Sequence, residues 1–341
     1  MPTLEHDSLV FRFPQIEEEA SFAIDFQRTL RIPDSDETYH LPPGLGRFPL
    51  RHAEDYSTRL PTHTASRGGV IFPMWQAEAM WIDFRNIGPD LELDFPVAVK
   101  IAAGKINAIT GDPWRAGLTR DPQDYVVSPE QPWLDGYAVE KDVIRQFVAM
   151  PLGECYSAEE QLTGEAEWGG LQISVIPLKK EVWSAKRAAW ERGKAALQER
   201  ADILPDMACM SMEMSLAPGG RMHQAIEPDP FELDDWDTAA ADRVFVTLVH
   251  GKDWKTVTGE PAPEHPPTAR MYTEAGLPWF SHYGADQTAL PGSGTLRGLK
   301  SAGAMHEILT GASLPDSEDV EVKVVVPTEP RRLIATGSWD K

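Results

Sequence analysis

Over much of this chain apolar side chains return every second residue, the repeat that sends alternate side chains to opposite faces of a β-strand. In Phe22–Ile32 one face carries Phe22, Ile24, Phe26, Leu30 and Ile32, and the other carries Asp25, Gln27, Thr29 and Arg31; Arg28 is the one intruder on the apolar side. Met80, Ile82 and Phe84 repeat the pattern, as do Ala208, Met210, Met212, Met214 and Leu216, and again Val320, Val322, Val324 and Val326. Further strands are expected at Phe95–Ala102, Val143–Met150, Leu171–Ile176 and Val244–Val249. One long segment breaks the rule. From about Glu181 to Arg200, the residues Val182, Trp183, Ala189, Trp190, Ala196 and Leu197 recur at seven-residue spacing with charges opposite, which reads as an amphipathic helix whose indoles pack as core. Shorter helices are expected at Thr268–Ala275 and Leu299–Leu309, and Pro261–Pro267 reads as a linker.

Two stretches of the chain match one another in order. Ile101–Ile109 is similar to Leu216–Ile226, and Pro132-Trp133 corresponds to Pro230-Phe231. Beyond these, Arg145 and Arg243 each open an Arg-x-Phe-Val block that ends in Tyr156 or Trp254, and Thr-Gly-Glu follows at Thr163–Glu165 and Thr258–Glu260. An internal duplication explains the shared order. In each copy a glycine, Gly104 or Gly219, would supply the left-handed residue of a tight turn. The expected fold is therefore mainly β: two tandem, related sandwich-like or barrel-like lobes, with one amphipathic helix at about 181–200 between them and short helices near the C-terminus. On this reading residues 1–180 form an N-terminal lobe holding the first copy at about 95–165, and residues 201–341 form a C-terminal lobe holding the second at about 205–260.

Composition narrows the function classes. Of 341 residues, 53 are acidic and 32 basic, so the net charge of −21 disfavours nucleic acid and anionic membrane surfaces as partners. The two cysteines, Cys155 and Cys209, are too few for a disulfide framework and lack zinc spacing, and no apolar segment is long enough for a targeting or spanning helix; the expected location is cytoplasmic. There is no phosphate-binding loop, dinucleotide fingerprint, metalloprotease motif or nucleophile elbow, and the nine histidines are scattered. No cofactor and no metal are expected.

Candidate residues come from the matched segments and from local chemistry. Lys105 with Asn107, and Arg221 with Gln224, place a cation and a carboxamide after each glycine, a pairing suited to carboxylate or hydroxyl recognition at a junction between lobes. Glu165 and Glu167, beside Trp168 and a Gly pair, are the candidates for acid/base work if the chain is an enzyme. Eleven tryptophans, among them Trp75, Trp81, Trp114 and Trp133, are compatible with sugar-binding faces, although indoles more commonly fill cores. Glu78 stands alone in an apolar stretch and calls for a buried partner, for example Arg145 or Lys100. Two readings follow. The first is a non-catalytic protein that binds a small polar or sugar-like ligand at the lobe junction or associates with itself. The second is a glycan-active hydrolase or lyase with a carboxylate acid/base in a Trp-lined cleft.

Overall fold

The computed structural model describes residues 1–87, 93–194, 212–281, 289–315 and 317–325. As the alternation requires, the chain is mainly β. The longer strands are β1 (Ser8–Arg12), β2 (Ser21–Thr29), β3 (Val70–Met74), β4 (Ala79–Ile87), β5 (Val97–Ala103), β6 (Gly136–Glu140), β7 (Val143–Met150), β8 (Leu171–Pro177), β9 (Met212–His223) and β10 (Asp242–His250). Three helices matter below, α1 (Ala158–Thr163), α2 (Lys180–Lys194) and α3 (Gly251–Thr258), and a further helix, Ala302–Thr310, overlaps the expected Leu299–Leu309. With shorter pieces the strands make one 17-stranded hydrogen-bonded network, most of it antiparallel. Among the described residues no helix is long and apolar enough to cross a membrane.

Pairing runs from β1 to β2 through Leu9 opposite Ile24, on to β4 through Phe26 opposite Ile82, and on to β7 through Met80 opposite Phe147. Strand β7 then pairs with β9, β9 with β10, β10 with β8, and β8 with β5. On its other side β10 lies parallel to β3, with Leu248 opposite Phe72. Side chains from all of these strands meet in one core, in which Phe26 of β2 stacks on Phe72 of β3 with ring centres 4.9 Å apart. Strands from before and after residue 180 are thus interleaved in a single hydrogen-bonded network.

The two glycines of the matched segments do different work. Gly104, at φ +58°, turns the chain from β5 into the short strand Ile106–Asn107, as expected. No turn forms at Gly219, because β9 continues through Pro218-Gly219-Gly220 from Met212 to His223. These glycines answer a need for close approach. Between the pairs Arg145–Arg221 and Phe147–Pro218 the register slips, so β9 has one residue more than β7 and forms a bulge. A Cβ on Gly219 would lie 2.6 Å from the Val148 side chain, and one on Gly220 would lie 2.0 Å from the Pro33 carbonyl oxygen. The later matched blocks do fall on equivalent elements: β7 precedes α1 and the left-handed cap Gly164, and β10 precedes α3 and the left-handed cap Gly259.

Helix α2 appears where its stripe predicts, and residues 195–200 of that expectation lie outside the described residues, as do Ala208–Ser211 and Val326 of two expected strands. Trp183 is buried, meets Phe95 edge-to-face at 5.0 Å and donates from Nε1 to Glu17. Trp190 is only half-buried, packed against the outside of the core rather than within it. The C-terminal valines do not extend the main network: Lys323–Val325 pairs in parallel with Pro278–Phe280 as a separate two-stranded sheet, and Val324 and Val325 are exposed. Trp183→Ala should therefore cost about 3–5 kcal/mol, the usual range for a core aromatic, and Trp190→Ala about 1–2 kcal/mol, as read from urea unfolding midpoints.

Candidate functional site

The sequence expectation centred on two cations and two carboxamides, and the structure ties each of the four to a partner of its own. Lys105 pairs with Glu167 at 2.7 Å, while Arg221 grips both oxygens of Glu140 at 3.1 and 3.0 Å. Asn107 is buried and caps its own turn, accepting from the amides of Ile109 and Thr110 and donating to the Asp124 carbonyl. Gln224 is buried between the Asp135 amide and the Trp133 carbonyl. Glu165 and Glu167 are exposed, and the Lys105 ammonium holds the Glu167 carboxyl below its ordinary range, the direction opposite to that of a general acid. It is the neighbouring Glu159 that burial pushes up, and its carboxylate accepts from the Trp168 and Gly169 amides.

The most organised site lies elsewhere, at the turn between β3 and β4. Trp75–Glu78 reverses the chain in four residues, with Ala77 in the left-handed region at φ +66°. That strained residue is held from both sides: its amide donates to the Ala149 carbonyl at 2.7 Å, and the Ala149 amide returns to the Glu78 carbonyl at 2.8 Å. The Glu78 side chain closes the turn. One carboxylate oxygen accepts from the Trp75 amide at 2.8 Å, and the other accepts from Arg28 Nε at 2.6 Å. The two residues that broke their apolar surroundings in the sequence, Arg28 and Glu78, are thus each other's partner; Arg145 and Lys100 are not involved.

From this turn a wall is hung. Arg28 reaches past Glu78 to donate to the Glu264 carbonyl at 2.8 Å, and Trp75 Nε1 donates to the Pro263 carbonyl at 3.0 Å. The stretch expected to be a linker, Pro261–Pro267, is therefore pinned against the sheet. His265 stacks on the Trp75 indole at 3.8 Å, and Gly251 lies over the same ring system, where a Cβ would come within 2.4–2.6 Å of three ring carbons. Both contacts are face-on, so the indole is committed to protein neighbours. The opposite wall, Leu314–Pro315, is fastened by Arg31, which donates to the Pro315 carbonyl and pairs with Asp34 at 2.5 Å.

Between these walls is a cavity of about 430 Å³ lined by Trp75, Gln76, His250, Lys252, His265–Thr268, Leu314 and Pro315, with Glu78 and Arg31 in its walls. His250 caps α3 by accepting the Lys252 amide at Nδ1, which leaves the proton of the neutral ring on Nε2. Burial, and then Lys252 beside it, pushes the His250 pKa below its usual value; burial and Arg28 do the same for His265. Both shifts favour the neutral ring. Burial outweighs the Arg28 guanidinium at Glu78 and drives its carboxyl up to about 7. Among the described residues no group of three or more His, Cys, Asp or Glu side chains could hold a metal ion. No protein-family model, curated protein or solved structure matches the chain.

The Glu78 shift carries a sign. An unfolded glutamate releases its proton near pH 4.5, but folded Glu78 keeps it to about pH 7, so between these values the folded state holds a proton that the unfolded chain lacks. Stability from this group is complete below the lower value and declines as pH rises through the upper one. Glu78→Gln removes the titration, so the stability of the wild type relative to the variant should fall as pH is raised from 5 to 8. Urea unfolding of both proteins across that range checks it, and a wild-type stability that rises relative to the variant would contradict the assignment.

Proposed function

We propose that the protein is a non-catalytic binder of a small, flat organic acid, held in the cavity beside Trp75. The observation that carries this reading is the state of Glu78. Among the described residues it is the only carboxylate in the lining, it is buried, and each of its oxygens already accepts a hydrogen bond, from Arg28 or from the Trp75 amide, which commits it to the protein rather than to a guest. What a guest would meet are flat or apolar surfaces, the open face of His265 and the rings of Pro266, Pro267 and Pro315, together with donors: His250 Nε2–H, the Thr268 hydroxyl, and the exposed Lys252 ammonium at the mouth. Lys252 makes no ion pair among the described residues, which leaves one formal positive charge for an acid group. A sugar would look for a bare indole face, and Trp75 has His265 and Gly251 over its own.

On this reading the ligand site lies beside β10 and α3 rather than at a junction built from Lys105 and Arg221. The tandem-lobe reading draws its remaining support from the equivalent order of strand, helix and left-handed glycine at β7–α1 and β10–α3. Titration with benzoate and 4-hydroxybenzoate, followed by tryptophan fluorescence and calorimetry, should give saturable one-site binding. Cyclohexanecarboxylate, benzylamine and methyl glucoside should bind at least tenfold more weakly. Lys252→Ala should weaken benzoate about fivefold to tenfold, a loss of about 1–1.4 kcal/mol. Binding of the amine or the glycoside in preference to the aromatic acids, or affinity for benzoate unchanged by Lys252→Ala, would overturn the reading.

A further inference from the structure

Across the face of β5, β8 and β10 that points away from the core, the register sets side chains in rows. Arg243 lies opposite Ser174, and Ser174 opposite Lys100; Phe245 lies opposite Gln172, and Gln172 opposite Ala102. Loop residues complete a ladder of alternating cations and rings. Lys100 Nζ stands 5.5 Å from the Trp114 ring, and Arg243 lies 5.0 Å from Trp114 on one side and 5.0 Å from Phe245 on the other. Phe245 stacks with Trp168 at 6.0 Å and 17°, and Trp168 carries Arg67 at 4.4 Å and Lys105 at 4.5 Å. Trp114, Phe245 and Trp168 are all half-exposed.

The cations of this ladder are not equally satisfied. Lys100 is buried and paired with Asp124, and Lys105 is paired with Glu167. Arg67 and Arg243 make no ion pair among the described residues. Arg67 donates only to the Trp168 and Glu167 carbonyls, and Arg243 donates at 2.5 Å to the amide oxygen of Gln172, itself buried and anchored to the Gly104 carbonyl. The ring supports and the amide fix Arg243 in one orientation without neutralising it. Two fixed guanidiniums outside any ion pair among the described residues, set among half-exposed Trp and Phe on a sheet face, are the composition of an interface centre.

We propose that this face is a docking surface for an acidic protein segment, with Arg67 and Arg243 as the two carboxylate-binding positions. Charge complementarity selects that partner: the chain carries −21 overall, so two guanidiniums outside any ion pair among the described residues, Arg243 exposed and Arg67 half-buried, are a local exception that an acidic side chain can complete. Single-stranded nucleic acid needs bare ring faces on which bases stack, and here the rings already carry cations, while the net charge repels a phosphate chain. An extended peptide suits the spacing of a sheet face, because acids at alternate positions project to one side every two residues, about 6–7 Å apart.

The test uses the full chain and three end-blocked octapeptides, alternating leucine with glutamate, glutamine or lysine, each with a fluorescent label for anisotropy, and labelled oligothymidylate as a fourth probe. The glutamate peptide should bind at least tenfold more tightly than the other three, and its affinity should fall at least tenfold from low to high salt. Arg67→Gln with Arg243→Gln should remove at least tenfold of that affinity while benzoate binding beside Trp75 is unchanged, since neither arginine lines that cavity. If the double variant fails to fold, the single variant Arg243→Lys, which keeps the charge but loses the planar fork, should still lower affinity several-fold. Equal binding of the glutamine peptide, tighter binding of oligothymidylate, absence of glutamate-peptide binding, or affinity indifferent to both salt and substitution would each overturn the proposal.

Discussion

A single ion pair inside the protein, Arg28 with Glu78, decides where several otherwise unrelated segments lie. Taking two charges out of water is costly, and such a pair repays the cost only when the remaining hydrogen-bonding positions are filled. Here they are filled by backbone. The carboxylate takes the Trp75 amide, the guanidinium takes the Glu264 carbonyl, and through these two bonds the β3–β4 turn and the proline-rich stretch after α3 are fixed against each other. Trp75 then has one place to go, between His265 and Gly251, and the cavity beside it follows from that placement. The role of the pair is positional more than energetic: removing either member would break the bonds through which the wall is held.

The same economy governs the other buried charges. Asp25 receives both Arg47 and Arg85, Lys100 reaches Asp124, and Arg31 reaches Asp34. Basic residues are the scarcer kind in this chain, and many of them are drawn into such internal pairs. The surface is left with the surplus of acids, so the few guanidiniums that stay outside without a carboxylate stand out electrostatically against their surroundings.

Strand positions were legible because period-two alternation is a direct imprint of a buried face: β2, β4, β7, β8 and β10 all sit where the pattern puts them. Thr268 and Gly259 act as helix caps in the manner their side chains, or lack of one, permit. What could not be read is which strand meets which, since partners far apart in sequence leave no local trace. Arg28 and Glu78 were visible separately as violations of their apolar surroundings, and matching the violations with each other was the available signal for the site. Gly219 misled for a physical reason: a glycine beside proline looks the same whether it serves a turn or a close approach, and only the Val148 and Pro33 contacts tell the two apart. The carboxamides of Asn107 and Gln224 misled likewise, because a buried amide that satisfies backbone is indistinguishable in sequence from one that greets a ligand.

Strand β9 has a consequence for how the chain comes to be folded at all. It takes one run of hydrogen bonds from β7 and another from β10, so it forms the seam between strands made early and strands made late. During synthesis β4 and β7 emerge some seventy residues and more before β9 can reach them, and until then β7 presents the edge that β9 will cover. Pairings of such long sequence separation place the chain among slow folders whose half-made sheets are exposed to their neighbours. The bulge lies on β9 and not on β7, so the glycines fit the arriving strand to the edge without making the edge itself irregular, and until β9 covers it that edge can template a regular foreign strand.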